Sequence, residues 1–263
     1  MINDPKSKAS YIIDNSAGGI NQQGYVVGNY VDRTGISHGF EWHKGIYKPI
    51  DDPKSSNRTF TSGINSAGDV VGYYYDSHID QHGFLFHSGH YSDIDDPLAK
   101  LGMTANGINS QGDIVGYYLD ASDNYDGFLL HAGKYTSLDN PNALGTYPVG
   151  INDQGDVVGN YYDKTLHLHG FLFHRGVFTT IDDPHSATQQ NKGTYLAGIN
   201  AKGDIVGYYD TKNGDRQGFL FRSGSWPLQR HMVAIYSGGR RKNRYYDRAK
   251  VCGIFPYFPY RIS

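Results

Sequence analysis

An all-β chain folded as a five-bladed β-propeller, each blade a four-stranded antiparallel meander of about 44 residues, is the architecture this sequence predicts. Three observations predict it. The tripeptide Gly-Ile-Asn recurs at 19–21, 63–65, 107–109, 150–152 and 198–200, giving spacings of 44, 44, 43 and 48 residues. With 23 Tyr, 12 Phe, 34 Gly and 10 Pro in 263 residues, the composition favours strands and tight turns over long helices. The second apolar segment of each repeat is apolar on both faces, as a strand sandwiched between neighbours must be.

The second repeat shows each element most plainly. A first strand is expected over 59–65, followed by the turn Ser66-Ala67-Gly68, with Gly where a left-handed backbone is needed. A second strand over 69–76 carries Val70, Val71, Tyr73, Tyr74 and Tyr75. After the loop 77–82 comes a third strand over 83–87, then the reversal Ser88-Gly89 and a fourth strand over 90–95. Asp96-Pro97 ends it, because Pro cannot donate to a ladder. Such a meander needs a neighbour on each face, and radial packing supplies both. An open β-solenoid or a stacked array of sheets is the alternative; a trefoil would need three-fold repetition. Gly28, Gly72, Gly116, Gly159 and Gly207, inside the second strands, are expected to permit close approach between packed blades.

The repeats run from about 11–53, 54–97, 98–141, 142–184 and 185–226. Ile2-Asn3-Asp4-Pro5 matches the repeat endings at Ile50–Pro53, Ile94–Pro97 and Ile181–Pro184, so residues 1–5 are expected to close the ring against Gly218–Phe221. The rival is the C-terminal side, where Trp226 takes the place of Tyr47, Tyr91, Tyr135 and Phe178 before the pattern fails at Pro227. Residues 227–263 form a basic, pattern-free tail: the last 39 residues hold eight Lys or Arg against the single acid Asp247, whereas residues 1–224 hold 16 Lys and Arg against 25 acids. That switch fits either a reading-frame change in an ancestral repeat or a variable extension packed on the ring.

The acidic repeat region offers no broad basic surface to a phosphate backbone, so no nucleic-acid partner is expected. Cys252 is the lone cysteine, and no intrachain disulfide can form. The start lacks the apolar run of a signal peptide and no long apolar stretch follows, so neither export nor a membrane partner is indicated. A monomer is expected.

The recurring Gly-Ile-Asn, Val-Val-Gly-Tyr-Tyr, His-Gly-Phe and Ile-Asp-Asp-Pro segments resemble the HAF-type repeats of bacterial, extracellular proteins, over residues 1 to about 226. The resemblance implies a repeat protein, often exported, and no particular reaction. The absence of an export signal and the basic tail depart from it.

In a four-stranded meander, the loop between strands two and three lies on the same face as the link to the next blade. That face collects Asp32, Asp76, Asp120, Asp163 and Asp210 at the ends of second strands, with His38, His82 and His169 just before Gly-Phe; Asp126 and Gln217 fill the His place in the other two repeats. One reading makes these a ligand surface, with Asp and His bonding a carbohydrate and Tyr rings stacking on it. The other makes them turn-forming residues bonded to local amides. Asp120, Asp123 and Asp126 in one loop admit calcium, though not at the spacing of the helix-loop-helix pattern; otherwise no cofactor is expected. His43, His87, His131 and His174 should face the opposite side, too far apart to share a zinc ion. No nucleophile elbow or metalloprotease motif occurs. A non-catalytic module binding carbohydrate or another protein is therefore the leading expectation. A polysaccharide hydrolase or lyase at the channel mouth, or a truncated repeat protein without activity, is the alternative. Carboxylates drawn from different blades to one channel mouth would mark a hydrolase.

Overall fold

The computed structural model describes residues 16–222 and the backbone of 232–235. The described residues form five four-stranded antiparallel meanders. The first sheet contains β1 (Ser16–Ile20), β2 (Val26–Val31), β3 (Ser37–His43) and β4 (Ile46–Ile50). The second contains β5 (Arg58–Ile64), β6 (Val70–Tyr75), β7 (Gln81–His87) and β8 (His90–Ile94). A single parallel bridge, Ser37 to Arg58, joins these two into one eight-stranded sheet. The third contains β9 (Gly102–Ile108), β10 (Ile114–Leu119), β11 (Tyr125–His131) and β12 (Lys134–Ser137). The fourth contains β13 (Ala143–Ile151), β14 (Val157–Asp163), β15 (Leu168–His174) and β16 (Val177–Ile181). The fifth contains β17 (Thr194–Ile199), β18 (Ile205–Asp210), β19 (Arg216–Phe221) and β20 (Met232–Ile235). No helix among the described residues is long and apolar enough to cross a membrane.

The cores lie between sheets. Val27 and Ile50 of the first sheet meet Ile64, Val70, Tyr74 and Phe84 of the second. The same set recurs where Val71 and Ile94 meet the third sheet, Val115 and Leu138 the fourth, and Val158 and Ile181 the fifth. The last apolar residue of each Ile-Asp-Asp-Pro ending is thus an interlayer plug. Its second acid is structural too: the Asp52 amide donates to Thr59 Oγ1, and Asp52 Oδ1 accepts from Lys54 N, which pins the crossing to the next sheet. Asn140 and Asp183 do the same with Thr146 and Thr194.

Each first strand carries a β-bulge against its second strand, between Ala17 and Gly19, Thr61 and Gly63, Pro148 and Gly150, and Leu196 and Gly198; in the third sheet the shift falls opposite Val115 and Gly116. The bulge relocates the close approach expected at the second-strand glycines. A Cβ on Gly72 would lie 2.0 Å from the Phe60 carbonyl oxygen and 2.9 Å from the Phe84 ring, both in its own sheet. The contact between sheets belongs instead to the glycine of Gly-Ile-Asn: a Cβ on Gly63 would lie 2.9 Å from the Asn106 oxygen, and one on Gly107 3.0 Å from the Gly150 Cα.

The outer edge of β19 is filled by β20, with Gly218 opposite Ile235 and Phe221 opposite Met232. A segment of the basic tail therefore supplies the outer strand of the fifth sheet. The competing candidates Ile2–Pro5 and Trp226 lie outside the described residues.

Candidate ligand-binding site

On the loop face, four of the five expected aspartates build their own turns. Oδ1 of Asp32, Asp76, Asp120 and Asp163 accepts the amides two and four residues on, at 2.7 to 3.0 Å. These donors hold the Asp120 carboxyl below its usual range, led by the Asn124 amide. In Asp32 the Thr34 hydroxyl leads, and the value falls to about 2. Asp210 is displaced from this set. In the fifth repeat the place four residues after the second-strand glycine is Thr211 rather than Asp; its Oγ1 accepts from Asp215 N, and Asp210, one residue earlier, meets Arg216 Nε at 3.1 Å.

With Oδ1 committed to the turn, Oδ2 is left to face the histidine. His38 Nε2 lies 3.5 Å from Asp32 Oδ2 while its Nδ1 lies 3.0 Å from Asp51. His169 is held likewise by Asp163 at 3.4 Å and Asp182 at 2.7 Å, and His82 more loosely by Asp76 at 3.7 Å and Asp95 at 3.5 Å. The hydrogen bond that Asp182 accepts from His169 raises the histidine's pKa above its ordinary value. Each ring stacks on a tyrosine, with centroids 5.0 Å apart for Tyr30 and His38, 5.2 Å for Tyr74 and His82, and 4.9 Å for Tyr161 and His169. Those tyrosines are buried, so the histidine occupies the ring face that was expected to receive a sugar.

The third sheet breaks the arrangement. Asp126 stands where the histidine would, and burial together with the charges of Asp139 and Asp120 raises its pKa to about 6. These carboxylates share one repeat of one sheet, so they do not form the cluster from different blades that hydrolysis was expected to show.

At the opposite end, the Asn of Gly-Ile-Asn forms a ladder. Asn21 Nδ2 donates to the Asn65 carbonyl, Asn65 to Asn109, Asn109 to Asn152, and Asn152 to Asn200. Oδ1 of Asn65, Asn109 and Asn152 accepts two local amides in the turn that follows. His87 and His131 pair with Asp69 and Asp113 at 2.5 and 2.6 Å, and His174 pairs with Asp156, all on this face as expected. In the first repeat Tyr25 replaces that aspartate, and His43 packs on its ring at 3.9 Å.

The arrangement that could hold a ligand was not singled out from sequence. A cavity of about 180 Å³ is bounded by the first strands of all five sheets and the second strands of the first four. The bulges aim Gly18, Ser62, Asn106, Val149 and Ala197 into it, each the residue before Gly-Ile-Asn. Two residues earlier, Phe60, Thr104, Tyr147 and Tyr195 line it as well, joined from the second strands by Tyr73 and Tyr117. The rings interlock: Phe60 stacks on Tyr73 at 4.8 Å, and Tyr117 meets Tyr147 edge-on at 5.3 Å. The first sheet contributes only Ala17, Gly18 and Asn29, so one side of the cavity is aromatic and the other small. Asn29 and Asn160 are spoken for, each clasping the backbone of the next sheet's first strand, at Thr61 and Leu196. No carboxylate, imidazole or amine belongs to the described lining. Burial pushes the Tyr195 phenol up to about 12 and raises Tyr73 and Tyr117 as well, so these hydroxyls are neutral hydrogen-bonding groups. At Tyr162 and Leu168 the cavity reaches the loop face. Every lining position is variable between repeats, and that variability is the signal by which sequence comparison could have found it.

No protein-family model matches the chain, and no curated protein matches it. Among solved structures it is similar to a variant of the Aleuria aurantia lectin in complex with Fucα1-6GlcNAc, at 12% identity over 85% of this chain and 79% of that one, TM-score 0.52. A second structure of that fungal lectin, described as a six-bladed β-propeller with a novel fucose recognition mode, is 13% identical over 85% of this chain and 78% of that one, also at TM-score 0.52. At this identity the likeness bears on architecture alone, and it agrees with five meanders gathered about one cavity: the chain has a β-propeller-like fold.

Proposed function

We propose that this chain is a five-bladed β-propeller that binds a single neutral saccharide ring in its axial cavity without transforming it. The observation that carries the reading is the chemistry of the lining: convergent aromatic rings beside Ser62, Thr104 and Asn106, with no carboxylate, imidazole or amine among the described lining residues. Aromatic faces receive the apolar C–H face of a pyranose, and hydroxyls and amides bond its rim. Glycoside hydrolysis needs two carboxyl groups about 5 to 9.5 Å apart across the bond. A lyase base needs a phenol that ionises near working pH, and burial has moved these phenols the other way. At about 180 Å³ the cavity is smaller than the roughly 300 to 1,000 Å³ of drug-sized sites, so a single ring suits it better than an extended chain. The likeness to fucose-binding lectins supports a carbohydrate among neutral ligands, and the Gly-Ile-Asn, His-Gly-Phe and Ile-Asp-Asp-Pro recurrences keep the HAF-type resemblance within the same reading. The loop-face residues Asp32, His38, Asp76, His82, Asp120, Asp126, Asp163 and His169 then serve as the shaped rim of the face on which the cavity opens, and Asp210 braces it through Arg216.

A glycan array followed by calorimetry on free monosaccharides tests this. Binding of at least one pyranose, independent of calcium and lost in Tyr117→Leu, is expected; an array without any signal overturns the proposal.

A further inference from the structure

The loop after β6 differs from its four counterparts in what it adds to the turn. Asp76, His78 and Asp80 bring three donor atoms within 4.8 Å of one another, a grouping that stands alone among the described residues. His82 joins them from the start of β7: its Nε2 lies 3.7 Å from Asp76 Oδ2, and His78 Nδ1 lies 3.5 Å from the same oxygen. Both separations lie at or past the limit of a hydrogen bond. They are close to the edge of a coordination tetrahedron, since two ligands each 2.0 to 2.1 Å from zinc sit about 3.4 Å apart.

We propose that Asp76, His78, Asp80 and His82 form a zinc site on the loop face of the second sheet. The donor set is two imidazoles and two carboxylates, which suits zinc better than calcium, whose ligands are oxygens. The division of labour at Asp76 fits: Oδ1 is held by the amides of His78 and Asp80 at 2.8 and 2.9 Å, leaving Oδ2 for a metal. His82 is oriented from behind, with Nδ1 at 3.5 Å from Asp95 Oδ1, so Nε2 is the nitrogen turned toward the cluster. A carboxylate behind the imidazole is the usual second partner of a metal-bound histidine. The side chain of His78 is 80% exposed and can close on the ion without moving the core. The neighbouring repeats show what is special here. The first repeat has Thr34 and Ile36 in the two added places, and the third has Ser122 and Asn124. The fourth repeat keeps His167 near Asp163, at 3.8 Å, but has Thr165 where the second has His78.

The test is metal uptake by the full chain after dialysis against a chelator, read by calorimetry with Zn²⁺ and by the visible spectrum with Co²⁺. One equivalent of zinc and an intense four-coordinate cobalt spectrum are expected. His78→Ala and His82→Ala should each weaken binding at least about tenfold, and Asp95→Asn by about 10 to 100-fold, whereas His87→Ala on the opposite face should leave it unchanged. Circular dichroism establishes that each variant is folded, and the exposure of His78 makes its variant the decisive one. No uptake, a six-coordinate cobalt spectrum, or affinity undiminished in folded His78→Ala overturns the proposal.

Discussion

The end of the first strand and the bulge just before it obey opposite rules. At the strand end, Asn21, Asn65, Asn109, Asn152 and Asn200 are one residue type, and four of them lock each sheet to the next. Immediately before the tripeptide, the bulge positions hold five residue types, Gly18, Ser62, Asn106, Val149 and Ala197, all lining one cavity. Identity marks what every junction between sheets needs. Divergence marks the axis, where five copies meet a single space and must divide a recognition task. The contrast teaches that in a repeat protein the faithful positions report the architecture, and the site lies where fidelity lapses.

The comparison can be broken first on its faithful side. Gly116→Ala places a Cβ about where the Thr104 carbonyl oxygen sits, 2.0 Å away, with the Phe128 ring at 2.8 Å on the other side. A loss of about 3 kcal/mol is expected from overpacking, read as a fall in denaturation midpoint. Next, Asn109→Ala removes the bonds to Asn152 and Asp113 and orphans two amides of its own turn. It should cost about 2 kcal/mol and leave saccharide affinity unchanged.

A smaller effect separates repeats that keep the histidine from the one that does not. Asp126 has its folded pKa raised from 3.8 to about 6. The folded state therefore holds its proton more tightly, and this contribution is complete below about pH 4 and lost as pH rises through 6. The group is half-buried, and solvent screening discounts the effect to about 1 kcal/mol. His169 is also raised, by Asp182 first, so its contribution is complete below pH 6.5 and lost as pH rises through the folded value. Stability measured against pH should fall in two windows; Asp126→Asn should flatten the acidic one and His169→Gln the one above pH 6.5.

Much of the fold was legible because strands are written in side-chain alternation and turns in Gly, Asn and Asp. The four strands of the second repeat begin within two residues of expectation, at Arg58, Val70, Gln81 and His90. The bulges were not legible, since they are a matter of hydrogen-bond register, and missing them assigned the close contact between sheets to Gly72 and its equivalents instead of Gly63 and Gly107. The site was partly legible. The Asp and His residues do assemble, but within single repeats, and the turn place that the strand-end pattern gives to Asp210 belongs to Thr211. The cavity escaped because its lining shares no motif. Tyr147, Val149 and Ala197 become one surface only when five sheets converge.

The most direct test is a saccharide titration followed by nuclear magnetic resonance of the tyrosine and phenylalanine rings. The account predicts saturable shifts confined to Phe60, Tyr73, Tyr117, Tyr147 and Tyr195, abolished in Tyr117→Leu while that variant's stability stays within about 1 kcal/mol of the parent. Shifts centred on His38, His82 and His169 with the axial rings silent would contradict it, and would return recognition to the repeated loop face.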